Sequence, residues 1–245
     1  MITKALNEKK IITIKDVGGC TNFGGLDLVG SKMFTVKTKS NNKLSYISVY
    51  KNYKKAVRTN HKFVNCMGHA NGMAYASGHL YIAPCDKFVE VVSTSTWKHE
   101  RIYCDVTACS IAHIAGNQFV IGYGGKDKYN LCLAEPSGNK MVIKKRWQVR
   151  NPKYAAGYSI TQDIGYNKKN SCVYLILTKN NYRTNVILRA KLYSTEPDIC
   201  YTSKTSASGK YEIETIGFLS SGKAVIGMNL PSGKDSTFRH CEEGE

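Results

Sequence analysis

The stretch CMGHANGMAYASGHLYIA, Cys66–Ala83, sets the reading of the whole chain. Its first half crowds glycine, His69 and Asn71 ahead of a short apolar run, MAYA. SGH then supplies turn residues, and LYIA is a second apolar run. Two such runs across a glycine-bearing turn make a β-hairpin, because glycine tolerates the positive φ that tight turns need. His79 is thereby a turn residue. Extended to Ser93, the segment adds a polar loop and a third strand, DKFVEVVS.

The same order returns along the chain. Copies run over Gly24–Tyr50, Asn71–Ser93, Ser110–Pro136, Ile160–Leu192 and Tyr211–Cys241. VGSK, ASGH, IAGN, YNKKN and SSGK hold the same place in each, followed by MFTVK, LYIA, FVIGY, VYLIL and AVIGM. β-Branched and aromatic residues bounded by turn signals read as strands. No 3.6-residue period is sustained, so helices should be few. Dividing 245 residues by five gives 49 per unit, within the ~40–50 of four-stranded propeller blades. The last copy runs out after its third strand, while KIITIKDV, Lys10–Val17, stands alone before the first. The expectation is one all-β domain, residues 1–245, a five-bladed β-propeller with four-stranded blades. The blades would cover about 18–65, 66–106, 107–155, 156–208 and 209–245, the last completed by 9–17 as its outer strand. A β-sandwich or jelly roll with a stray first strand is the competing arrangement.

The pattern resembles a compact five-bladed β-propeller over nearly its whole length. GHANGMAYASGHLYIA is similar to a segment of uncharacterised bacterial propeller-like proteins, in which a G-H-A-N run precedes the innermost strand. Tachylectin-type lectins, glutaminyl cyclases and several glycosidase families share the five-bladed architecture. No paired-carboxylate or metal pattern of those enzymes can be placed on this chain. The resemblance therefore implies fold rather than function, since propellers host unrelated activities.

Lys and Arg number 35 against 18 Asp and Glu, a net charge of +17. Such a field attracts polyanions, including nucleic acid, anionic glycans and acidic surfaces. The densest basic groups are KNYKKAVR (Lys51–Arg58), KKRWQVR (Lys144–Arg150) and the pair Lys168–Lys169. None forms a long basic arm, and a solubilising surface is the plainer account. Nine cysteines occur without a C-x-x-C pair, which excludes a spelled-out zinc ribbon or thioredoxin motif. Several lie in apolar runs and read as reduced, buried thiols, suited to a reducing or anaerobic setting. The N-terminus lacks the apolar core of a signal peptide, and no apolar run reaches membrane-spanning length. A soluble monomer without cofactor or metal is expected, its compartment open.

In a propeller the segment leading into each blade's first strand lies beside the central channel. These segments are GGCTNFGG (Gly18–Gly25), MGHANGM (Met67–Met73), VTACSIA (Val106–Ala112), AGYSITQD (Ala156–Asp163) and GKYEIET (Gly209–Thr215). Converging polar groups mark a ligand site. His69 and Asn71, two apart in an extended segment, point the same way. With Thr21, Asn22, Ser110, Tyr158 and Gln162 they form the expected ligand-binding set, to which Glu212 and Glu214 add negative charge and Asp163 a further carboxyl. The plainer alternative has His69 and Asn71 bonding loop backbone, and Glu212 and Glu214 on a solvated strand face. Cys109 could be a nucleophile were His69 or His113 beside it as base; an inert thiol is the simpler reading. GYGGKDKYN (Gly122–Asn130) lacks the spacing of a phosphate-binding loop, although its lysines with Tyr123 and Tyr129 make an aromatic–basic face.

The leading functional expectation is a non-enzymatic recognition module binding a carbohydrate or anionic glycan at the channel mouth. One alternative is a glycan-acting hydrolase or lyase using Glu212, Glu214 or Asp163 with His69. Another is a basic scaffold that docks acidic protein or nucleic acid.

Overall fold

The computed structural model describes the backbone of residues 1–124, 128–150, 157–179, 184–203, 212–229 and 235–242. Side chains are described for the same residues apart from 7, 8, 128, 159, 203 and 235–242. Ala156, Ser159 and residues 209–211 of the lead-in segments, and Lys126 and Lys128 of the glycine-rich loop, fall outside this description. Among the described residues every regular element is a strand.

Strands β2 (Asn22–Val29), β3 (Lys32–Thr38), β4 (Leu44–Tyr50) and β5 (Arg58–Val64) form a four-stranded antiparallel meander. The next comprises β6 (Gly72–Ala76), β7 (His79–Ala83), β8 (Asp86–Ser93) and β9 (His99–Ala108). A third comprises β10 (Ser110–Ala115), β11 (Gln118–Gly122), β12 (Lys128–Ser137) and β13 (Lys140–Arg150). These two are joined by a short parallel contact, Lys140 opposite Tyr103 and Met141 opposite Cys104. A fourth comprises β14 (Tyr158–Asn167), β15 (Cys172–Lys179), β16 (Asn185–Lys191) and β17 (Ile199–Ser203). Finally β18 (Glu212–Phe218), β19 (Ala224–Asn229) and β20 (Asp235–Glu242) are followed in their sheet by β1 (Ile2–Lys15).

β1 has two partners. Residues Asn7–Lys15 run antiparallel to β20, with a register shift between Lys10 and Thr13. Residues Ile2–Leu6 run parallel to β17. The sequence placed this strand at Lys10–Val17, and the structure corrects its start to Ile2. TKALNEKK is too polar to announce a strand; the open edge of β17 is what extends it, by offering backbone partners.

The second strands β3, β7, β11, β15 and β19 are buried along most of their length. They lie inside a sheet covered on both faces, which explains their continuous apolar runs. Outer strand β9 alternates buried and exposed residues, and β13 exposes Lys144, Lys145 and Arg146 while burying Trp147. The KKRWQVR cluster is therefore the wet face of an outer strand. Between neighbouring meanders the facing sheets share apolar cores, such as Val120, Leu131 and Trp147 against Leu175 and Leu188. In the YNKKN hairpin the positive φ falls on Ser171, 56°, one residue beyond the asparagine.

The first strands β2, β6, β10, β14 and β18 pack on one another in cyclic order around a common centre. There the backbones meet so closely that side chains are excluded. A Cβ on Gly24 would lie 1.9 Å from the Ala70 carbonyl oxygen, and one on Gly72 would lie 2.9 Å from Ser110 Cα. Thr215 crosses the same centre, accepting the Leu26 N–H at 3.0 Å and donating to Asp163 Oδ2 at 2.6 Å.

Because the obstacle at Gly24 is backbone, Gly24→Ala should destabilise the fold by at least the ~1–3 kcal/mol of ordinary overpacking. Urea unfolding measures this, and a variant as stable as the parent contradicts the close approach.

Candidate functional site

A cavity of about 330 Å³ opens at the end of the first strands where they turn into the second strands. Every one of the first strands contributes to its wall, from Asp27 and Tyr75 through His113 and Tyr166 to Phe218, and Lys168 and Lys169 stand at its rim. The sequence had put the pocket at the opposite, lead-in end. None of Thr21, Asn22, His69, Asn71, Ser110, Tyr158, Gln162, Glu212 and Glu214 lines the cavity. Strand direction accounts for this. The expected residues lie toward the starts of the first strands, whereas the cavity is walled largely by their later residues and the turns that follow.

Asp27 is the most constrained polar group in the wall. Its Oδ1 accepts the Leu28 N–H at 2.8 Å and its Oδ2 the Tyr75 N–H at 2.6 Å. The carboxyl thus ties β2 to β6. Removal from water raises its pKa to about 6, against the two amides and the more distant Lys168, which favour the charged form. His113 Nε2 meets the Gly116 carbonyl at 2.9 Å, and Nδ1 meets Lys168 Nζ at 3.2 Å. An ammonium can only donate, so Nδ1 accepts and the proton sits on Nε2. Burial and the nearby Lys168 charge, in that order among the lowering influences, hold His113 below the usual imidazole range. Neutral His113 therefore orients Lys168 rather than competing with it for an anion. Tyr75, stacked on Phe34 at 5.6 Å, and half-buried Tyr166 and Phe218 supply ring faces.

The lead-in end has a different character. Asn71 is buried and its amide donates to the Cys109 carbonyl at 3.2 Å. His69 is exposed, while its carbonyl accepts the Thr38 hydroxyl at 3.5 Å and its N–H donates to the Pro84 carbonyl at 3.2 Å. The Asn71 side chain thus bonds loop backbone, whereas the bonds at His69 are those of its main chain. Asn22 donates to Thr38 Oγ1 at 3.5 Å, Thr21 is half-buried, and Ser110 packs beneath Gly122 and Tyr129. Tyr158 carries Lys179 Nζ 4.9 Å above its ring.

Glu212 and Glu214 are not on the solvated strand face weighed as the plainer alternative to ligand binding. Glu214 is only 6% exposed and accepts the Asn229 amide at 2.7 Å. Glu212 accepts the Gln162 amide at 2.6 Å. The two carboxyls titrate as one pair: burial pushes Glu212 up to about 7, and burial with the Glu212 charge raises Glu214 well above the carboxylate range. Asp163, fully buried, is raised in the same way. The Cys109 thiol is hydrogen-bonded to that of Cys85. Tyr129 is buried and donates to the Gln162 carbonyl at 2.7 Å, so it presents no stacking face. Arg146 lies 5.7 Å over Tyr123 instead. None of the eight described cysteines is in a disulfide.

The cavity escaped the sequence reading, although two signals for it were present. Lys168–Lys169 was noted only as a basic group, and Asp27, inside the apolar run GGLDLV, was not singled out.

No family model matches this chain. No curated protein matches it either. Among solved structures, glutaminyl cyclase of Myxococcus xanthus superposes with a TM-score of 0.69 at 11% identity, covering 99% of both chains. Regucalcin of Agrobacterium tumefaciens, a calcium-binding protein, gives 0.55 at 7% identity over 100% of this chain and 97% of its own. At such identities the likeness is one of fold, and the fold is a β-propeller. Among the described residues no helix is long and apolar enough to cross a membrane.

Native carboxyls that keep their protons up to pH about 6 and 7 bind more protons than the same groups unfolded, whose pKa is about 4. Their contribution to stability should therefore fall as pH rises from about 4 through 7. Carboxyl-carbon NMR should show steps near 6 and 7, the first missing in Asp27→Asn and the second in Glu212→Gln. Ordinary midpoints near 4 for both groups contradict the assignment.

Proposed function

We propose that this chain is a single five-bladed propeller over residues 1–245, its ring closed by the N-terminal strand, and that it is a non-enzymatic recognition module. Its ligand class is a carbohydrate or anionic glycan, held at the turn-end mouth of the channel. The pairing of β1 with β20 and the length match to a propeller of known structure support the architecture.

The observation that carries the binding reading is one cavity presenting fixed charges of both signs beside ring faces. Lys168, oriented by His113, and Lys169 offer ammonium donors to a carboxylate, sulfate or phosphate on the ligand. Asp27 is held by two amides and keeps lone pairs for sugar hydroxyls. Tyr75, Tyr166 and Phe218 suit the apolar face of a sugar ring. A net charge of +17 draws anions toward this mouth from a distance.

The Glu212–Glu214 pair favours a second reading, acid–base cleavage of a glycan, because a proton shared by two buried carboxyls is poised for transfer near neutral pH. The scaffold reading, with acidic protein or nucleic acid as partner, predicts binding that collapses steeply with salt.

A glycan array followed by calorimetry tests the first reading. Lys168→Ala is expected to weaken the best ligand at least tenfold. Unchanged affinity in Lys168→Ala, with loss in His69→Ala and Asn71→Ala, moves the site to the lead-in end. Release of new reducing ends by the parent protein, abolished in Glu212→Gln, establishes the second reading in its place.

A further inference from the structure

Far from the channel along the chain's strands, Cys66, Glu90 and His99 bring a sulfur, a carboxylate oxygen and an imidazole nitrogen within 4.8 Å of one another. The three come from different elements: the loop after β5, strand β8 and the first residue of β9. Cys66 is 5% exposed and Glu90 is fully buried, while His99 reaches solvent. A carboxylate so deeply buried in an outer sheet needs an explanation.

The surroundings hold all three donors in place. Glu90 stands opposite Arg101 in the β8–β9 register, and His99, two residues from Arg101, shares its face. Arg101 Nε donates to Glu90 Oε2 at 3.1 Å, and Nη2 donates to the Asn65 carbonyl at 3.3 Å. One guanidinium thus orients the carboxylate and fixes the loop that carries Cys66. Oε1 is left facing His99 Nδ1 in close contact. The Phe63 ring meets His99 edge-on at 5.9 Å and seats the imidazole. Such partners behind a ligand set its direction and are typical of metal centres.

We propose that Cys66, Glu90 and His99 form a binding site for a divalent cation of the zinc class, linking the β2–β5 meander to the β6–β9 meander. Thiolate, imidazole and carboxylate together suit Zn²⁺ and its probe Co²⁺, whereas Mg²⁺ and Ca²⁺ prefer oxygen donors alone. Bonds of about 2.0–2.3 Å in a tetrahedron place ligands roughly 3.5 Å apart, a span the three side chains reach by rotation. The Cys66 thiol gives its proton to solvent as the metal–sulfur bond forms, and neutral His99 supplies a lone pair. The fourth position faces solvent on the His99 side. The proposal is independent of the channel and of any ligand there.

The test uses the full chain, reduced, stripped with chelator and titrated with Co²⁺ without oxygen. Expected are one equivalent bound, a thiolate-to-cobalt charge-transfer band, displacement by Zn²⁺, and a Zn²⁺-dependent rise in Tm. Cys66→Ser should abolish the band, and His99→Ala, at an exposed position, should weaken binding at least tenfold. Absence of the band in the parent, or its persistence in Cys66→Ser, overturns the proposal. Should Cys66→Ser fail to fold, undiminished binding by His99→Ala overturns it equally.

Discussion

The Thr215 hydroxyl accepts the Leu26 amide and donates to Asp163, and the rest of the molecule is arranged around that meeting. Three first strands, β2, β18 and β14, are tied through one buried side chain. The contact exists only because the strands come close enough for it. Glycines 165 and 217 allow the approach: a Cβ on Gly165 would lie 2.8 Å from the Ile216 carbonyl oxygen, and one on Gly217 would lie 2.8 Å from Leu28 Cδ1. A buried chain of this kind is costly when broken, since each orphaned group has lost water as well as its partner. Close approach and the two Thr215 bonds therefore support each other at the centre, while apolar contact between neighbouring sheets holds the periphery.

The same narrowing divides the channel into two environments. On the lead-in side, amide and carbonyl groups such as those of Asn71 and Cys109 are consumed in joining one meander to the next. Burial raises the pKa of carboxyls there, as the Glu212–Glu214 pair shows. On the turn side Asp27, His113 and Lys168 stand in the wall of the cavity and are held there by hydrogen bonds. Fixed charge next to a void is the condition for selective binding, because the reorganisation has already been met by folding. A chain carrying +17 overall buries Asp163 and Glu214 near its centre and sets two of its lysines, Lys168 and Lys169, at the mouth.

Legibility in the sequence followed burial. VYLIL and AVIGM announce β15 and β19 because strands covered on both faces tolerate little but apolar side chains. The turns were legible because positive φ restricts residue choice at Gly30, Gly78, Gly116 and Gly222. The first half of β1 was not, since a polar strand leaves no pattern when its partner, β17, lies some 200 residues away in sequence and pairs with it mainly through backbone bonds. Of the expected ligand-binding residues, Asn71 gives its amide to the Cys109 carbonyl, a partner 38 residues on that no local spacing announces. Glu214 looked like a wet-face residue from its alternation with Ile213, and only its neighbours Asn229 and Glu212 reveal that it is buried. Cys66, Glu90 and His99 left no spacing signal at all, being brought together by the register of β8 and β9 and the return of the preceding loop.

The sequence by itself determined the strand-and-turn repeat, the all-β class, the placement of glycine where backbone must turn or approach, and the excess of positive charge. Each is a local property, written by steric limits on φ, by alternation and by composition. Tertiary structure alone decided which end of the channel opens, which carboxyls lose their water, and which distant side chains share a centre. Those outcomes depend on the distance and angle between whole strands, and a period-two pattern states which way a side chain points without stating what it will meet.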